Sequence, residues 1–69
     1  MAKFIIYNKE SDKYLSDSKY GQEAYQKDRA LVFGTYINAD EYIDNLEYNT
    51  DNLRIVNKRL HEREFYSRI

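Results

Sequence analysis

The sequence predicts a small α+β domain: a mostly antiparallel sheet with one helix packed on a face, in ββ(β)αβ order. Three observations carry the prediction. Residues 3–8 (KFIIYN) and 13–16 (KYLS) read as the arms of a hairpin around the polar turn 8–12. Ala39, Tyr42, Ile43 and Leu46 recur at three- and four-residue steps, as the buried face of a helix does. Residues 53–60 (LRIVNKRL) favour a strand through the β-branched pair Ile55 and Val56, although Val56 and Leu60 also fit a helix.

In chain order, the hairpin is followed by a polar loop over 17–22 containing Gly21. Residues 23–29 suit either a short strand or a helical turn, and Leu31, Val32 and Phe33 read as a buried strand. The helix has two competing start signals. Thr35 caps directly after Gly34, or Asn38 caps with Glu41 completing a capping box and Ile37 and Tyr42 as its hydrophobic staple. Thr35 is favoured, because Tyr36 then joins the core face. Residues 48–52 (YNTDN) form a turn, and 61–69 a basic tail, helical or frayed. The expected core is Phe4, Ile6, Leu15, Leu31, Phe33, Ala39, Tyr42, Ile43, Leu46, Leu53 and Ile55. It is thin, which favours self-association through a sheet edge that no proline blunts.

With 69 residues the chain makes one domain, 1–69. A domain of this size buries only ~60% of the surface of its unfolded chain. Without cysteine it has neither a disulfide framework nor a thiolate metal site, which fits a reducing compartment. No apolar run approaches the ~18 residues of a membrane span and no signal peptide opens the chain, so the expectation is a cytoplasmic protein.

The net charge of −1 hides segregation. Residues 30–53 carry five acidic side chains (Asp40, Glu41, Asp44, Glu47, Asp51) and no basic one. Residues 54–69 carry five basic ones (Arg54, Lys58, Arg59, Arg63, Arg68) against Glu62 and Glu64. Eight tyrosines exceed what so small a core holds, and tyrosine couples large contact area to low entropy loss.

Tyr7-Asn8-Lys9-Glu10, Tyr14-Leu15, Ala30, Val32-Phe33, Thr35 and Ala39 together resemble a group of small phage and bacterial proteins of uncharacterised function. Those open with an IYNKETGKYL-like hairpin and pass through a VF strand into a T-x-x-x-A helix. The resemblance covers residues 3–46 and implies a fold and a phage origin, but no activity.

Nothing in the sequence assembles a catalytic centre. His61 is the only histidine, too little for a zinc site of ~4 ligands, and it reads as a surface residue of a charged tail. No G-x-S-x-G elbow frames Ser11, Ser16, Ser18 or Ser67, and two glycines make no phosphate cradle. Residues 51–56 (DNLRIV) are similar to the NLR-x-V segment of HNH-type homing nucleases, whose histidine pair is absent here. They read instead as a turn leading into a strand.

The expectation is therefore a non-enzymatic protein-binding module without a cofactor or metal. Its role would be that of a phage-encoded inhibitor occupying the surface of a host or defence protein, an anti-defence function. The contact residues are Tyr36, Asp40, Asp44, Glu47 and Tyr48, with Tyr20 and Tyr25 as a second group. The acidic residues also have a plainer account, as a solvated face whose carboxylates suit a helix N-terminus. The alternative function is nucleic-acid binding through Arg54, Lys58, Arg59, Arg63 and Arg68, with Phe65 and Tyr66 stacking on bases. A homodimer, acidic helix against basic tail, is a third arrangement.

Overall fold

The computed structural model describes residues 2–16, 22–46 and 49–61. Four strands, β1 (Phe4–Asn8), β2 (Lys13–Leu15), β3 (Glu23–Ala24) and β4 (Leu53–Asn57), form one antiparallel sheet in the order β3-β2-β1-β4. One helix, α1 (Tyr36–Asp44), packs on a face of it. Residues 23–29 realise both expected alternatives, β3 and then a 3-10 turn, Lys27–Arg29. β4 stops at Asn57, short of the expected residue 60. The tail 62–69 and most of the loop 17–22 lie outside the described residues.

The hairpin turn is fixed by side chains. Asn8 Oδ1 accepts from the backbone N–H of Glu10 (2.9 Å) and Ser11 (3.3 Å). Asp12 takes the left-handed conformation at φ 59°, which Asp tolerates better than most residues. The Tyr7 hydroxyl donates to Asp12 Oδ1 at 2.5 Å, tying the strand to its turn.

Leu31–Phe33 is not the buried strand expected. The ladder between β1 and β2 stops at Tyr7↔Tyr14, and beyond it residues 30–33 run between the two strands. Leu31 N–H donates to the Leu15 carbonyl (3.0 Å), while Phe33 and Phe4 exchange both backbone bonds (2.8 and 2.9 Å). The segment touches each strand at isolated positions, too few for a ladder, and Val32 is left 45% exposed.

Both faces of the sheet are buried. Under α1 lie Ile6, Leu15, Ala39 and Leu53, with Phe33, Tyr42, Ile43, Leu46 and Ile55 packed around them. The opposite face holds a second cluster, Ile5, Tyr14 and Ala30, flanked by Tyr7 and Val56. These residues were absent from the expected core. His61 completes this face, which corrects its reading as a surface residue. It is half-buried, its ring centroid 4.6 Å from that of Tyr7 and 5.7 Å from that of Tyr14. Lys27 Nζ donates to the His61 carbonyl, joining the 3-10 turn to the residues after β4.

A candidate protein-binding surface on the helix

The N-terminus of α1 follows from Thr35. Its backbone is extended, and its hydroxyl accepts from the Asn38 N–H at 3.1 Å. Starting there, α1 turns the expected face inward: Ala39 is fully buried, and Tyr42 and Ile43 are half-buried against the sheet. At its end, the Asn45 side-chain amide donates to the Glu41 carbonyl at 3.0 Å.

The outer face carries two adjacent rows at four-residue steps: Tyr36, Asp40 and Asp44, and beside them Ile37 and Glu41. All five are exposed. Tyr36 does not join the core face as expected. Its ring meets Phe4 edge-on at 6.2 Å, yet 57% of the residue stays exposed. Ile37 is 68% exposed, so it is no staple. Sequence reasoning passed over it as a contact residue, although its helical position opposite Ala39 signalled exposure.

Helix stability does not explain the carboxylates. The first turn contains none, and the last turn has no basic residue. Asp44 is the last helical residue, at the negative end of the dipole, where an anion is disfavoured. The side chains of Asp40, Glu41 and Asp44 make no hydrogen bond or ion pair with other described residues.

Of the other expected contact residues, Tyr25 follows β3 at the far end of the sheet order from β4, 47% exposed and on a different element from α1. Tyr20, Glu47 and Tyr48 lie outside the described residues. The tyrosine surplus is partly structural: of the five described, Tyr14 is buried and Tyr7 and Tyr42 are half-buried.

The basic set divides. Arg54 folds its guanidinium onto the carbonyls of Asp51 (2.7 Å) and Leu53 (2.8 Å). Lys58 and Arg59 sit in the turn after β4, beside Lys3 and Lys27, which sequence reasoning had not grouped with them. Arg63 and Arg68 lie outside the described residues. Among the described residues, no three His, Cys, Asp or Glu side chains gather as a metal site. No described helix is long and apolar enough to cross a membrane. No family model, curated protein or solved structure matches the chain.

Proposed function

We propose that the protein is a binding module that docks on another protein through the outer face of α1. The observation that carries this reading is the pairing of exposed Tyr36 and Ile37 with Asp40, Glu41 and Asp44 one and two turns on. An aromatic and an aliphatic anchor supply desolvated contact area. The carboxylates, one of them set against the helix dipole, select a cationic partner surface and speed encounter with it. A host or defence protein is the class of partner we propose, occupied one to one rather than turned over, in keeping with the phage origin that the resemblance of residues 3–46 implies.

The test compares capture from a bacterial host lysate by the parent chain, by Tyr36→Ala/Ile37→Ala and by Asp40→Lys/Asp44→Lys. A protein retained by the parent, lost from both variants and released by salt is the expected result. Both variants should fold. Tyr36→Ala/Ile37→Ala melts close to the parent, losing only the edge contact of Tyr36 with Phe4, and Asp40→Lys/Asp44→Lys melts at or slightly above it, because a cation suits the end of α1. An identical set of captured proteins from all three chains would remove the helix from the function.

A further inference from the structure

The end of the sheet where β1 begins and β4 finishes carries a groove of about 830 Å³. Lys3, Lys27, Lys58 and Arg59 line it, with Asp28 as the one carboxylate among the described residues and Leu60 at its side. The cations come from three segments distant in sequence, and backbone bonds hold those segments in place. Lys58 N–H donates to the Lys3 carbonyl at 2.9 Å, setting these two residues opposite each other across the end of the ladder. Asn57 Oδ1 accepts from the N–H of Arg59 (2.9 Å) and Leu60 (3.2 Å), fixing the turn that carries Lys58 and Arg59. Lys27 enters from the 3-10 turn and spends one ammonium donor on the His61 carbonyl. An ammonium has three, so two remain.

Among the described residues, four cations against one carboxylate leave a formal +3 in the groove of a chain whose net charge is −1. None of the four is ion-paired to a described residue. Such a gathering costs repulsion, and an anion lying in the groove relieves it. The arrangement suits a chain of anions better than a single one. The cations are spread along an open groove, and among the described residues no glycine-rich loop or α-helix N-terminus lines it to cradle one phosphate. Leu60, 75% exposed, adds an apolar surface beside them for a base to lie on.

We infer that this groove binds the sugar–phosphate backbone of single-stranded nucleic acid, at a site separate from the helix surface and independent of its role. Four phosphate contacts at about −0.7 each give a log–log salt slope of about −2.8, so a fourfold rise in salt weakens binding about 50-fold. The experiment is fluorescence anisotropy of a labelled oligothymidylate titrated with the full chain at several salt concentrations. Competition by unlabelled duplex of equal length, inorganic phosphate and inorganic triphosphate is measured alongside. Lys3→Glu/Arg59→Glu is the test variant, because both side chains are exposed and neither makes a hydrogen bond with a described residue; its melt is compared with that of the parent.

The expected result is binding at low salt, a slope near −2.8 that falls to about half in the variant, and weak competition by free phosphates. Absence of binding at micromolar protein overturns the assignment. So does binding that the charge reversal leaves unchanged in a folded variant, or tighter binding of duplex or triphosphate than of single strand.

Discussion

Truncating Ile5 and Ile6 in turn tests the central feature of the fold, a sheet buried on both sides. The two side chains are adjacent on β1, point to opposite faces, and are both wholly buried. Ile6 lies under α1 and Ile5 in the cluster with Tyr14 and Ala30. Removing a buried Ile side chain to Ala costs about 2–5 kcal/mol, the transfer term plus the cavity left behind. At about 0.05–0.15 kcal/mol per residue, 69 residues give a total stability of about 3.5–10 kcal/mol, so either change removes a large part of it. Ile5→Ala is therefore expected to destabilise by as much as Ile6→Ala, about 2 kcal/mol or more, with Ile5→Val at about 1 kcal/mol. Urea titration followed by far-UV circular dichroism and tyrosine fluorescence measures it. With a slope of about 1 kcal/mol per molar for so small a domain, 2 kcal/mol moves the midpoint by about 2 M. A solvated outer face would limit the loss at Ile5 to strand propensity, about 1 kcal/mol at most. A small loss at Ile5 beside a large one at Ile6, with unchanged slopes, would refute the two-sided core.

Thr35→Ala should cost about 1 kcal/mol through loss of the cap on Asn38, with Thr35→Ser close to neutral in thermal melts. At Asp12, Ala and Gly both lose the carboxylate that accepts from Tyr7, but only Ala keeps a Cβ in the left-handed backbone, at a cost of about 1–2 kcal/mol relative to Gly. Gly should thus melt higher than Ala at this position, and the reverse order would show that φ is not strained. Arg54→Ala uncovers the Asp51 and Leu53 carbonyls and should give concentration-dependent association in sedimentation velocity where the parent shows less. Sedimentation unchanged from the parent would show that Arg54 does not guard the edge.

How much was legible in the sequence depended on the range of the interactions involved. The helix was readable because its cap, Thr35, and its inward stripe, Ala39, Tyr42, Ile43 and Leu46, lie within a dozen residues and obey one period. The β1–β2 hairpin was readable for the same reason. The Leu31–Phe33 segment misled because an apolar run signals burial, not pairing; here it fills the gap where β1 and β2 part. The second core cluster was missed because one buried face was assumed, although the unbroken run Phe4-Ile5-Ile6-Tyr7 lacks the alternation a half-exposed strand shows. His61 could not be placed, since its partners Tyr7 and Tyr14 lie far back in the sequence. The groove was half visible: Lys58 and Arg59 stood out as neighbours, while Lys3 and Lys27 join them only through strand register and the turn after β3.

The edges of the sheet decide which surfaces remain for a partner. β3 has two residues, too short to template an added strand. On β4 the longer edge is obstructed from both ends. Lys58 pairs with Lys3 and Lys9 with Asn52 through backbone bonds, so by antiparallel alternation Leu53, Ile55 and Asn57 direct their peptide groups outward. Leu53 N–H donates to the Thr50 carbonyl, its own carbonyl accepts from Arg54, and the Asn57 carbonyl accepts from the His61 N–H. An added strand would have to displace these bonds to pair beyond Ile55. Recognition by strand addition, which reads backbone, is thereby disfavoured against recognition by side chains. Side-chain recognition is the mode that a helix bearing Tyr36, Ile37 and three carboxylates and a groove bearing four cations would both use. The two surfaces carry opposite charge and share no residue, so under the two proposals a basic protein and a nucleic-acid strand would not compete for the same groups.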